Sequence, residues 1–261
     1  MKYHHLFQVK KGVSSEEASL ELSFYLDYVY EIVDQETETV QIGGYSDVSS
    51  FFPNLQHSTL KDSTISQDID WDKQWASFAP NFQEGFAHID LEGKALLLKP
   101  GAGFGDLSHP TTRLVLKLMV PFVKDHLIFD LGCGSGILSV AAALLDAKRV
   151  LGIDIDPEAL THSQENAKIN GVEDRTHFSK SIELKAPIEH IVILMNMIES
   201  EQERAWEACR ALHEANATVI ISGLLSSQVP AYLQIIKTRN WTFIKEVVEE
   251  GWSGLIFEQK F

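Results

Sequence analysis

Cysteine is scarce: the 261-residue chain has only Cys133 and Cys209, far apart in sequence. Two such residues make no disulfide framework, and a reducing compartment fits. Basic residues are also in deficit. Lysine and arginine number 22 against 37 aspartates and glutamates, a formal net charge of -15. An acidic surface repels phosphate backbones, which argues against direct nucleic-acid binding and favours a basic protein partner. Long apolar runs are missing. The longest, Ile137 to Leu145, is interrupted by Ser139 and ends at Asp146, well short of the ~18 residues that span a bilayer. The opening Met1-Lys2-Tyr3-His4-His5 lacks the apolar core of a secretory leader. A cytoplasmic protein without membrane association is expected. No H-E-x-x-H, no paired C-x-x-C and no serine nucleophile elbow occur, so neither a metal site nor a serine-hydrolase site is expected.

What is present divides into three zones. The hydrophobic fraction, 44%, is that of a globular protein. Residues 1–60 predict a small α+β domain. Leu6-Phe7-Gln8-Val9 reads as a strand, and Ser14 with Glu17 forms a capping box. Ala18, Leu22, Tyr25, Leu26 and Val29 then continue at helical spacing. Thr37 to Ile42 alternates as a half-buried strand does, and Gly43-Gly44 is expected to end it. Residues 61–81 are polar and predict a linker, with Trp71 and Trp75 docking a linker helix on a neighbour. Residues 82–261 alternate strands and helices. Strands are expected at 127–130, 149–154, 188–195 and 218–222, with helices at 136–145, 157–170, 201–214 and 228–238. An antiparallel pair, 243–249 with 255–258, closes the pattern. Such alternation specifies a doubly wound parallel sheet.

The chemistry concentrates in Asp130-Leu131-Gly132-Cys133-Gly134-Ser135-Gly136, which follows a strand and opens a helix. Glycines there let a ligand approach the backbone. The next strand ends at Asp154, an acid about 20 residues on that can hydrogen-bond ribose hydroxyls. Dinucleotide sites prefer G-x-G-x-x-G, which seats pyrophosphate on the helix N-terminus. Here the spacing is G-x-G-x-G and Asp130 precedes it, an acid that repels pyrophosphate and suits an ammonium group. The reading is therefore S-adenosylmethionine, held by Asp130, Gly132, Gly134, Gly136 and Asp154. Asn196, at the end of the third strand, is either a substrate-orienting acceptor or an ordinary strand-end cap. The glycine-rich stretch from Gly101 to Thr112 is, on composition, a loop and a helix start.

Together these motifs resemble the PrmA family of ribosomal-protein methyltransferases, which act on amino groups of a large-subunit stalk protein. Phe104-Gly105, followed by His109-Pro110-Thr111-Thr112, is similar to the family's F-G-T-G-T-H-P-T-T. Asp130 to Gly136, Gly152 to Pro157, Glu165-Asn166-Ala167 with Asn170-Gly171, Asn196-Met197-Ile198 and Ser222-Gly223-Leu224-Leu225 also match, as do Asp70-Trp71 and Trp75. The chain departs at Asp106-Leu107-Ser108, where the family has T-G-T, and near the start of the third strand, which lacks the acid usual there and has Glu189-His190.

The resemblance implies a Rossmann-like catalytic domain behind a substrate-recognition domain and a linker. It implies cofactor contacts at Thr112, Gly132, Asp154 and Asn196, with Asn196 orienting the amine and His109 shaping the loop. A monomeric enzyme methylating a ribosomal stalk protein is expected. The rivals are a methyltransferase with another amine target, a binder that has lost catalysis, and a dinucleotide oxidoreductase. The first often shows N-P-P-Y after the third strand, where stacked aromatics grip a planar group; Met197-Ile198 offers no such platform.

Overall fold

A computed structural model describes residues 3–26, 28–34, 39–49, 52, 55–65, 81–101, 105, 109–182 and 190–261. The chain divides into two compact units, 1–70 and 71–261.

The first unit contains β1 (Tyr3–Val9), α1 (Ser15–Leu22), β2 (Tyr28–Asp34), β3 (Thr39–Ser46) and β4 (Ser58–Ile65). Its strands form one antiparallel sheet in the order β2-β3-β1-β4. Phe7, Ala18, Leu22, Leu26 and Ile42 make the core between sheet and helix. The capping box is present: the Ser14 hydroxyl accepts from the Glu17 N–H at 3.2 Å, and the Glu17 carboxylate accepts from the Ser14 N–H at 3.1 Å. Three expectations need correction. The helix stops at Leu22 rather than running on to Val29. The aromatic and β-branched run Tyr28-Val29-Tyr30-Glu31-Ile32-Val33 suits a pleated strand better, and it forms β2. Gly43-Gly44 does not end a strand but lies inside β3, whose neighbours pair with it on both sides. The boundary expected after residue 60 falls within β4. Trp71 and Trp75 lie outside the described residues.

The second unit opens with an antiparallel sheet of β5 (Phe82–Gln83), β6 (Phe86–Leu91) and β7 (Lys94–Leu98). Then follow α2 (Pro110–Val123), β8 (Leu127–Leu131), α3 (Ile137–Leu144), β9 (Arg149–Ile153), α4 (Pro157–Ile169) and β10 (Thr176–Ser179). The chain continues through β11 (Ile191–Asn196), α5 (Glu199–Ala208), β12 (Ala217–Leu225), α6 (Val229–Ile235), β13 (Trp241–Glu249) and β14 (Trp252–Gln259). Seven strands form one sheet in the order β10-β9-β8-β11-β12-β14-β13. The first five are parallel, and β14 and β13 close it antiparallel. This is the doubly wound sheet that the alternation predicts, with two additions: β10 and the 82–98 sheet.

Strand alternation sorts the side chains to two faces. Ile128, Val192, Leu194, Ile220 and Ile256 join one core with α2, α3 and the small sheet. Phe129, Leu131, Ile193, Met195, Ile221 and Phe257 join the other, with Trp206 of α5 and Tyr232 of α6. Asp130 and Asn196 stand in phase with the first face. Among the described residues no helix is long and apolar enough to cross a membrane.

The small sheet is held to α4 by side-chain amides. Asn166 Oδ1 accepts from the Lys99 N–H at 2.8 Å, and Asn170 Oδ1 accepts from the Leu97 N–H at 2.9 Å. The Asn170 amide donates back to the Leu97 carbonyl at 2.7 Å. These two asparagines belong to the Glu165-Asn166-Ala167 and Asn170-Gly171 motif. Their work in this chain is to give the edge of β7 the partners another strand would supply. Asn170→Ala strips both polar groups of Leu97. It is expected to lower the unfolding free energy by about 1–3 kcal/mol, read as a lower urea midpoint at unchanged slope.

Candidate cofactor and substrate site

The strand order reverses between β8 and β11. Ligands of open α/β sheets sit outside the carboxyl ends of the strands at such a switch point. Asp130 lies in β8 directly across from Leu194, two residues before Asn196 ends β11.

Beyond β8 the chain makes a tight loop over the end of β9. The Gly132 and Cys133 N–H groups both donate to the Ile153 carbonyl, at 2.7 and 3.0 Å. The Gly134 N–H donates to Asp154 Oδ2 at 2.9 Å, and Gly136 N–H to the Cys133 carbonyl at 2.8 Å. The Ser135 carbonyl accepts from the Asn166 amide at 2.9 Å, and the Ser135 hydroxyl donates to the buried Gly105 carbonyl at 2.6 Å. The loop is thereby pinned at nearly every residue. Gly136 caps α3 with φ of +78°, and a β-carbon there would lie 2.7 Å from Ser163 Cβ and 2.9 Å from its Cα. Glycine is required for both reasons: the left-handed backbone and the contact with α4.

Asp130 is wholly buried. Its Oδ2 accepts from the Ser139 hydroxyl at 2.7 Å, and its Oδ1 has no partner among the described residues. Burial pushes its pKa up to about 7; the Ser139 hydrogen bond opposes the rise and the Asp154 charge adds to it. Asn196 repeats the pattern. It is 8% exposed, its amide donates to Thr112 Oγ1 at 3.2 Å, and its Oδ1 is buried with no partner among the described residues. Two acceptors lacking donors, near the ends of adjacent strands, are costly to bury unless a ligand supplies the donors.

Asp154 bridges the loop to α4: besides Gly134, it takes the Asp156 N–H on Oδ1 at 3.0 Å. Each carboxylate oxygen keeps a further lone pair for a hydroxyl donor. Thr112 lies fully buried in the first turn of α2. His109 is the N-cap of that helix. Its Nδ1 accepts from the Thr111 N–H at 3.4 Å and sits 2.8 Å from the Thr111 hydroxyl, and its ring packs edge-on against Trp252. The structure thus gathers Thr112, Asp130, Gly132, Gly134, Gly136, Asp154 and Asn196 around the switch point. His109 stands at the start of α2. Residues 102–104 and 106–108, including the Asp106-Leu107-Ser108 departure, lie outside the described residues.

Burial and the carboxyl groups of Asp130 and Asp154 push the Cys133 thiol far up, so it is no thiolate nucleophile. Two contributors escaped the sequence reading. Ser139 donates to Asp130 from one turn inside α3; a hydroxyl in an otherwise apolar helix was its trace. Ile155, next to Asp154, is 86% exposed. An aliphatic side chain left in water beside Asp154 offers an apolar face.

A family model described as ribosomal protein L11 methyltransferase (PrmA) matches residues 12–260. The chain belongs to that family. The ribosomal protein L11 methyltransferase of Pasteurella multocida is 31% identical over 239 residues, 85% of this chain and 77% of that protein. The one from Pseudoalteromonas atlantica is 34% identical over 180 residues, 62% of this chain and 59% of that protein. This second match spans less than two thirds of the relative's length. The crystal structure of a ribosomal protein L11 methylase from Lactobacillus delbrueckii subsp. bulgaricus superposes with a TM-score of 0.54 at 27% identity. It covers 70% of this chain and 92% of that chain. In this PrmA-family protein, the glycine loop and Asn196 therefore sit on a methyltransferase fold.

The loop geometry makes a sharp demand on Gly136. Gly136→Ala forces a left-handed alanine against α4 and is expected to destabilise the protein by about 2–5 kcal/mol. Chemical unfolding measures this directly, and wild-type stability would show that α4 yields instead.

Proposed function

We propose that this protein uses S-adenosylmethionine to methylate amino groups, lysine side chains or an α-amine, of the large-subunit ribosomal stalk protein L11. The observation that carries the reading is the pair of buried, partnerless acceptors at the switch point, Asp130 Oδ1 and Asn196 Oδ1. One suits the ammonium of a methionyl group, and the other suits the N–H of an attacking amine. Pyrophosphate of a dinucleotide would satisfy neither, because both need donors.

The residues present fit the cofactor. Asp130 would hold the ammonium group, Asp154 the ribose hydroxyls, the Gly132–Gly136 loop the ligand's backbone-facing side, and Ile155 one face of the base. When bound, the cofactor supplies a methyl group already activated on a sulfonium. The protein's task is to place and desolvate the amine. A lysine amine must be neutral to attack, and with a reference pKa of ~10.4 that costs about 4–5 kcal/mol at pH 7. Removing the amine from water lowers the cost by disfavouring the ammonium form. The proton leaves to water before the site closes. Asn196 Oδ1 then accepts the remaining N–H and orients the nitrogen lone pair. The Asn196 amide donates to Thr112, and its oxygen is the end left for substrate. His109 acts earlier in the chain, holding the first turn of α2 that carries Thr112.

The N-terminal unit, with its own sheet and core, is assigned to grip the protein substrate. Its share of an acidic chain favours a cationic partner.

Transfer of radiolabelled methyl from S-adenosylmethionine to undermethylated large ribosomal subunits, resolved by protein, tests the whole reading. Label on L11 supports it; intact cofactor binding with no labelled protein overturns it. Asn196→Ala is expected to bind cofactor a few-fold less well and to lose about a hundredfold in turnover. Unchanged turnover removes Asn196 from its role. The Asp130 carboxyl predicts a pH dependence with a definite sign. Below its pKa of about 7 it is neutral and attracts an ammonium weakly. Cofactor affinity should therefore rise about fivefold between pH 6 and pH 7. Calorimetry in buffers of different ionisation enthalpy reads this and the accompanying proton release. A flat profile would mean that Asp130 does not face the ammonium.

A further inference from the structure

Parallel strands β11 and β12 part company after Asn196 and Ser222, the last pair of their ladder. Met197 comes next, at the point where the chain turns away toward α5, and the Asn196–Met197 peptide sets where the Asn196 side chain points. The Met197 N–H donates to the Ser222 carbonyl at 3.3 Å. Its own carbonyl meets a residue outside every motif discussed so far. Gln202, wholly buried in α5, donates from Nε2 to the Met197 carbonyl at 2.7 Å and to the Ser222 carbonyl at 3.2 Å. One primary amide thus bridges the two strands where their own ladder has stopped.

Gln202 is itself held. The hydroxyl of Tyr232 in α6, fully buried, donates to Gln202 Oε1 at 2.8 Å. The two carbonyls fix which end of the amide is nitrogen, since a carbonyl only accepts, and the phenol then donates to the oxygen that is left. Two glycines give Met197 its room. A β-carbon at Gly223 would run into the Met197 carbonyl, and one at Gly132 would lie 2.5 Å from Met197 Cε. The Met197 peptide therefore sits between the Gln202 amide and the Ser222-Gly223 irregularity of β12, with its side chain over the first glycine of the loop after β8. The first turn of α5 has no side-chain cap, and Gln202 ties this helix to the strand ends.

We infer that Gln202, ordered by Tyr232, is a positioning residue for Asn196: it fixes the Asn196–Met197 peptide so that the Asn196 carboxamide oxygen faces the reacting amine. The inference rests on the role proposed for Asn196. Gln202 touches neither substrate nor cofactor and acts through the peptide that follows Asn196. A purely structural glutamine would contribute stability alone.

The test is a double-mutant cycle in single-turnover methyl transfer to L11, with Gln202→Leu, Asn196→Ala and the pair, all below the unfolding temperature. Gln202→Leu is expected to slow transfer about 10–100-fold with less than a threefold change in cofactor Kd. In the Asn196→Ala background it should have almost no further effect, because the residue it positions is gone. Losses that multiply overturn the inference while leaving Asn196 in place. An active Asn196→Ala protein instead overturns the role of Asn196 itself. If Gln202→Leu fails to fold, Tyr232→Phe replaces it, with a smaller loss in the same direction and the same non-additivity. A readout independent of turnover is the crystal structure of the variant. A rotated 196–197 peptide is expected, and an unmoved Asn196 carboxamide overturns the proposal.

Discussion

A carboxyl group kept out of water at the end of β8 sets the terms for the catalytic unit. Asp130 has a single hydroxyl partner in Ser139 and one oxygen with none. Burying an unpaired carboxylate is expensive, so the group holds its proton to about neutral pH. The surrounding elements are arranged around that cost. α3 begins close enough to lend Ser139, the glycine loop folds back over β9, and β11 ends alongside. A site of this kind is poised to take a cation because it is unfavourable without one.

The second strand end follows the same logic with a neutral group. Asn196 has its donor side committed to Thr112 and its acceptor side unfilled. Under the proposed function, a carboxyl group and a carboxamide at adjacent strand ends, both short of donors, would distinguish an ammonium-bearing ligand and an amine nucleophile from anions. The distinction is made by hydrogen-bond polarity, not by shape.

Much of this was legible in the sequence, for reasons that differ by element. The buried parallel strands announced themselves as short apolar runs, because both faces of such strands are covered. The glycine loop was legible because positive φ and close packing admit almost nothing else. The acids at 130 and 154 were legible because charge at a strand end is conspicuous. The small sheet at 82–98 was not, since its strands are short and one is only two residues long. The helix run from Ala18 to Val29 misled because Leu26 does enter the core, but from the turn after the helix. Ser139, Asn166 and Asn170 carry polar work that depends on which elements meet in space, and linear spacing does not report that. The hydrogen-bond pattern of Asn196 needed coordinates as well: position could not choose between a cap and a ligand-facing acceptor.

The ties along residues 99–109 have a consequence for how a change there is felt. Lys99 is tied to Asn166, the Gly105 carbonyl to the Ser135 hydroxyl, and His109 is seated on Trp252 and Thr111. The middle tie ends on the glycine loop itself. A substitution that displaces Gly105 is therefore transmitted through Ser135 to the loop after β8, so this segment and that loop move as one mechanical piece.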